Sequence, residues 1–125
     1  MMNNYKILVV DDDEQVLEVV KLALETNNYI VETASTAEEA LNTFDYSDFD
    51  IVLSDIKMPG MSGVQLALKL IEGKFKGGII LMTGYPGEYK PEEVLELGID
   101  AYLLKPFKID MLFTVVAQVL KKKIE

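Results

Sequence analysis

A doubly wound α/β domain is the fold class this sequence predicts, and three observations predict it. Short continuous apolar runs, such as Ile7-Leu8-Val9-Val10, Ile51-Val52-Leu53 and Ile79-Ile80-Leu81-Met82, have the character of strands buried on both faces. Each run stops abruptly at an acid or a hydroxyl. Between the runs lie amphipathic stretches introduced by capping residues, so that five strands alternate with five helices. Such alternation implies one parallel sheet with helices on both sides, because each return to a parallel neighbour takes a right-handed crossover.

The first strand, Lys6 to Val10, runs into Asp11-Asp12-Asp13-Glu14. Asp13 is suited to cap the helix that follows, with Glu14 in its positively polarised first turn. Val16, Leu17, Val20, Leu22 and Leu24 supply that helix's apolar positions, and Asn27-Asn28 ends it. Tyr29 to Ala34 reads as the second strand, after which Ser35 and Glu38 form a capping box for a helix carrying Ala37, Ala40, Leu41 and Phe44. The central strand ends in Ser54-Asp55. Pro59-Gly60 then turns the chain, and Ser62 with Gln65 caps a helix from Val64 to Glu72 that buries Leu66, Ala67 and Leu70. The fourth strand ends at Thr83-Gly84. Tyr85 to Lys90 is a loop, and Pro91 is placed as the first residue of a short helix that stops at Gly98. Ala101 to Leu104 is the fifth strand, followed by Lys105-Pro106-Phe107. The last helix has Asp110 in its first turn, continues through Leu112, Phe113, Val116, Val119 and Leu120, and closes on Lys121-Lys122-Lys123, a basic end matched to the helix dipole.

Composition narrows the function. The 125 residues are 50% hydrophobic and 26% charged, an ordinary globular balance for one domain. Twelve basic against twenty-one acidic residues give a net charge of -9, which disfavours direct binding to nucleic acid or an anionic membrane. No apolar run approaches the roughly 20 residues of a membrane span, and the amino terminus lacks a basic region followed by an apolar one, so a cytoplasmic protein is expected. The absence of Cys fits a reducing compartment, and the absence of His excludes a His-based triad, a His metal ligand and an internal phosphohistidine.

In a parallel sheet every strand ends on the same edge, and ligands of such sheets bind there. That edge collects Asp11, Asp12, Asp55, Thr83 and Lys105. Crowded carboxylates raise one another's pKa unless a cation neutralises them. The cation suited to an all-oxygen site beside a lysine is Mg2+, which takes one or two carboxylates and a phosphate while keeping several waters. A purely structural network of ion pairs fits the same residues.

Over nearly its whole length the sequence resembles the receiver domain of two-component response regulators, of the chemotaxis-regulator type. The resemblance rests on Val9-Val10-Asp11-Asp12, Ser54-Asp55-Ile56-Lys57-Met58-Pro59-Gly60-Met61-Ser62-Gly63, Met82-Thr83-Gly84 and Tyr102-Leu103-Leu104-Lys105-Pro106-Phe107. Each motif is weak alone; in this order, at strand ends, they are specific together. The resemblance implies a flavodoxin-like sheet with strand order 2-1-3-4-5. It implies that Asp55 is the phosphoacceptor, that Asp12 and Asp55 bind Mg2+ directly, that Asp11 holds it through water, and that the Lys57 backbone carbonyl completes the protein ligands. It further implies that Thr83 and Lys105 bind the phosphoryl group and that Tyr102 turns inward on activation.

The expected donor is a phosphohistidine on a sensor histidine kinase or histidine phosphotransfer protein. The chain is then a switch with self-catalysed phosphotransfer and autodephosphorylation, not an enzyme in the usual sense. Residues 1–125 are expected to be one receiver domain without an output domain, acting on a downstream protein through the face made by the fourth helix, fifth strand and fifth helix, with a phosphorylation-dependent dimer as a further expectation. Two departures from the family pattern stand out. The Tyr85-Pro86-Gly87 loop and Pro91 replace what is commonly a longer, Ala-rich start to the fourth helix, and the resemblance implies that Lys57 and Tyr85, two positions after Asp55 and Thr83, flank the expected path of water to the phosphoryl group. Two other readings belong to different classes: a receiver-like interaction module that is not phosphorylated, and a haloacid-dehalogenase-type phosphatase, suggested by Asp11-x-Asp13 but opposed by Gln15 and by the short chain.

Overall fold

The computed structural model describes residues 4–85, 87 and 89–124. Five strands, β1 (Lys6–Val10), β2 (Ile30–Ala34), β3 (Ile51–Asp55), β4 (Gly78–Thr83) and β5 (Ala101–Leu104), form one sheet in the order β2-β1-β3-β4-β5. Every pairing is parallel. Helices α1 (Glu14–Thr26), α2 (Ala37–Thr43), α3 (Gly63–Glu72), α4 (Pro91–Glu96) and α5 (Ile109–Ile124) make the crossovers, with a short 3-10 turn at Tyr46–Asp48. The fold is the expected five-stranded flavodoxin-like one.

Alternation along the strands divides the interior in two. Leu8, Val10, Val52, Ile79 and Leu81 face one side with Ala40, Leu66, Leu70 and Val94 from α2, α3 and α4. Ile7, Val9, Leu53, Ile80 and Met82 face the other, against Leu17, Val20 and Leu24 of α1 and Leu112, Val116 and Val119 of α5. Because β3 and β4 lie between neighbours and under helices on both faces, all of their residues are buried, which is why their sequences read as unbroken apolar runs. No helix among the described residues is long and apolar enough to cross a membrane.

The caps explain where the helices begin. Asp13 accepts from the backbone N–H of Gln15 and Val16 at the start of α1, and Ser62 and Gln65 form the predicted reciprocal box at α3. At α2 the structure corrects the sequence reading. Thr36, not Ser35, is the cap, accepting from Glu39 N–H at 2.9 Å, while the Glu39 carboxylate reaches back to Ser35 N–H at 2.6 Å. Glu38, expected in that box, points elsewhere. A second correction concerns α1, where Leu22 is 67% exposed. The buried stripe is Leu17, Val20 and Leu24, and Leu22 falls outside it on the helical period. Pro91 does open α4, and Lys121, Lys122 and Lys123 lie in the last turn of α5. Pro86 and Glu88, part of the predicted loop, lie outside the described residues.

Candidate functional site: an acidic edge with one lysine

Register carries the polar residues to one place. Val10 is level with Ser54, so Asp11 emerges beside Asp55; Asp55 is level with Met82, so Thr83 projects one residue further, and Thr83 is level with Leu104, so Lys105 projects further still. The strand ends therefore form a staircase, with the two acids at its foot and the lysine at its top. Lys105 reaches back down it. Its Nζ lies 2.6 Å from Asp11 Oδ2 and 3.4 Å from Asp55 Oδ1.

The acids differ in setting. Asp11 is fully buried, and its other oxygen accepts from Asp13 N–H at 3.0 Å. Asp55 is 7% exposed, whereas Asp12 faces solvent. One oxygen from each of Asp11, Asp12 and Asp55 lies within 4.8 Å of the other two. The carboxyl of Asp55 is pushed from 3.8 up to about 6, first by burial and then by the charges of Asp11 and Asp12, against the opposing pull of Lys105. Burial pushes the Lys105 ammonium down, but the hydrogen bond and charge of Asp11, joined by Asp55, outweigh it and leave its pKa raised.

Around this core the loops are tightly fitted. Gly63 donates its N–H to Ile56 O at 2.8 Å, and a Cβ there would fall 2.1 Å from the backbone oxygen of Asp55. Only glycine allows α3 to start so close to the strand end. Met58 is buried in the interior, whereas Lys57 is exposed and sets its Nζ 4.4 Å from the Tyr85 ring centre. Thr83 is 1% exposed, and its hydroxyl accepts from Tyr85 N–H at 3.0 Å. Tyr102 is half-buried and donates its hydroxyl to Tyr89 O at 3.1 Å.

The structure thus gathers Asp11, Asp12, Asp55 and Lys105 into one cluster, with Thr83 at the adjoining strand end. Tyr102 stands two positions before Thr83 in register, level with Leu81. Three contacts were not foreseen: Gly63 against Asp55, Tyr89 as partner of Tyr102, and Glu38, whose carboxylate accepts from Met61 N–H at 3.0 Å. Gly63 was detectable as the glycine directly after a capping serine. The other two depend on tertiary placement and left no sequence signal.

The donor set suits a hard divalent cation. Three carboxylates converge with no nitrogen or sulfur ligand, and an ammonium already lies against two of them as a positive charge.

A sequence model of the response regulator receiver domain family matches residues 7–117. The chain belongs to that family. It is 38% identical over 119 residues to the regulatory protein VanR of Enterococcus faecium, an alignment covering 94% of this chain and 51% of VanR. The chain spans about half the length of the curated relatives it matches. Among solved structures, the CheY-like receiver domain protein of Methanospirillum hungatei superposes with a TM-score of 0.84 at 34% identity, covering 98% of both chains. The BeF3-activated receiver domain of DrrB superposes at 0.85 and 30% identity, covering 95% of this chain and 99% of that one. The protein is a two-component receiver domain, a phosphoacceptor signalling module and not a classical enzyme, and its aspartate cluster is typical of the receiver Mg2+ site. Receiver domains pair with histidine kinases.

Proposed function

We propose that Asp55 accepts a phosphoryl group from the phosphohistidine of a partner histidine kinase or histidine phosphotransfer protein. One observation carries the reading: Asp55 ends the central strand at the meeting point of Asp11, Asp12 and Lys105. An Asp55 oxygen forms the new bond to phosphorus as the bond from phosphorus to the imidazole nitrogen breaks, and the leaving imidazole takes a proton from solvent. With its pKa near 6, Asp55 is mostly ionised at neutral pH and is a competent nucleophile. Asp12, Asp55 and the Lys57 carbonyl would hold Mg2+ directly, with Asp11 behind them through water. The ion supplies neutralisation of phosphoryl charge, which together with positioning is most of what phosphoryl transfer requires. Hydrolysis of the acyl phosphate by water restores the carboxylate and releases inorganic phosphate.

The chain's own residues then read the modification. Lys105 leaves Asp11 to pair with the phosphoryl oxygens, and Thr83 donates its hydroxyl to them. That hydroxyl now accepts from Tyr85 N–H, so its reorientation disturbs the start of the loop leading to α4. Tyr102 follows inward, giving up its bond to Tyr89 O and changing the face formed by α4, β5 and α5, where a protein partner or a second copy docks. A charge-assisted hydrogen bond contributes roughly 1.5 to 3 kcal/mol, whereas taking a switch from 1:99 to 99:1 needs about 5.5 kcal/mol. Thr83 alone is insufficient, so Lys105 and burial of the Tyr102 ring share the work.

The test is incubation with a small acyl phosphate, with and without Mg2+, followed by intact-mass measurement. One added phosphoryl group per chain, only with the ion, is the expected result. No modification under any condition would leave the chain as a binding module alone.

A further inference from the structure

We infer that Glu38 is a positioning residue for the loop between β3 and α3, and through that loop for the Lys57 carbonyl; the inference rests on the site reading proposed above. Glu38 belongs to α2 and lies 23 residues from its partner, yet its Oε2 accepts the Met61 N–H at 3.0 Å. The loop it holds, residues 57–62, starts two residues after Asp55 and contains Lys57. Its base is closed by Gly63 N–H to Ile56 O at 2.8 Å, and the buried Met58 side chain anchors its first half. Glu38 ties down the opposite side.

Gly60 brings the loop backbone close to this carboxylate. Its φ of +76° is strained for a residue bearing a side chain, and a Cβ there would lie 2.8 Å from Glu38 Oε2. The helix does not need Glu38 for its own start. Thr36 caps α2, and Glu39 accepts from Ser35 N–H and its hydroxyl just before the helix. Two adjacent glutamates in one helical turn thus have separate tasks, one local and one directed to the loop. Groups that orient metal ligands from behind commonly change metal affinity by about tenfold or more when removed. Because Glu38 is exposed and acts through the backbone, the lower end of that range is expected.

The control is built into the sequence. Glu38→Ala and Glu39→Ala each remove one carboxylate from the first turn of α2, but only the first frees the loop. Mg2+ affinity is measured by calorimetry, and protection of the Met61 amide by hydrogen exchange in the metal-free protein. Glu38→Ala is expected to lose Met61 protection and to weaken Mg2+ binding roughly tenfold. Glu38→Gln, which keeps an acceptor for the amide, should recover most of both. Glu39→Ala should leave both near wild type while lowering stability. If wild type binds Mg2+ and Glu38→Ala binds it equally well, or if Glu39→Ala loses as much, the positioning role is overturned. Absence of Mg2+ binding by the wild type would instead overturn the reading of the site, with the Glu38 contact still reported by Met61 protection.

Discussion

Replacing Asp55 with Asn should stabilise the metal-free domain, and by an amount that grows with pH. The folded carboxyl has its pKa at about 6, against 3.8 for the free group. Folding therefore makes Asp55 retain a proton over a window in which the unfolded chain has already released it. The stability this group contributes is greatest below about pH 4 and is lost as pH rises through about 6. A shift of that size corresponds to an upper bound of about 3 kcal/mol at about 1.36 kcal/mol per unit, and about 1 to 2 kcal/mol after allowing for solvent screening at the open side of the site. Asn cannot ionise, so Asp55→Asn escapes this loss while keeping the shape of the side chain. Urea denaturation of both proteins in chelator at about pH 4.5, 6 and 7.5 should show the mutant's advantage widening by roughly 1 to 2 kcal/mol across the series. Mg2+ should then reverse the trend, since only the native wild type keeps the Asp55 carboxylate proposed as a ligand. A difference independent of pH, or a mutant less stable at pH 7.5 than at 4.5 relative to wild type, would refute the claim that burial and like charge dominate at Asp55.

Three further predictions follow from particular contacts. Lys105→Ala should cost about 3 kcal/mol by thermal or urea unfolding, because fully buried Asp11 loses the ammonium 2.6 Å away, and added Mg2+ should restore part of the loss. Gly63→Ala should cost about 3 kcal/mol, the upper end for overpacking, since the new Cβ meets the Asp55 backbone oxygen; a folded mutant of wild-type stability would show that α3 can shift freely. Thr83→Ala should still be phosphorylated but should lose most of the NMR shift changes at Tyr102 and along Pro91 to Leu97 with a beryllium fluoride mimic. A complete wild-type shift pattern in that mutant would mean the signal leaves the site by another route.

The strands and their polar ends were legible because a strand covered on both faces must be apolar throughout, leaving its first polar residue to mark the sheet edge. Ile51 to Asp55 and Ile79 to Thr83 show this directly. The unequal burial of Asp11 and Asp12 was not legible, since adjacent residues at a strand end alternate faces only if the strand continues. At α2, the segment Ser35-Thr36-Ala37-Glu38-Glu39 contains two overlapping capping boxes that differ by one residue. Local chemistry favours neither. The contact of Glu38 with Met61 N–H accompanies the choice of Thr36 and Glu39, and it joins segments that no local pattern connects. Leu22 departs from its expected burial for a simpler reason: a nearly continuous apolar sequence in α1 blurs the helical stripe, and only the position of the sheet fixes which face is inward.

The central claim is that Asp55 is the residue that carries the phosphoryl group. Phosphorylation by a small acyl phosphate with Mg2+, followed by borohydride reduction and peptide mass mapping, tests it most directly, because reduction converts an aspartyl phosphate to homoserine and leaves a free carboxylate unchanged. Homoserine at position 55, with Asp11, Asp12 and Asp13 intact and no conversion in chelator, is the predicted result. Conversion at any of those three residues in place of Asp55, or full conversion of another aspartate in Asp55→Asn, would contradict it.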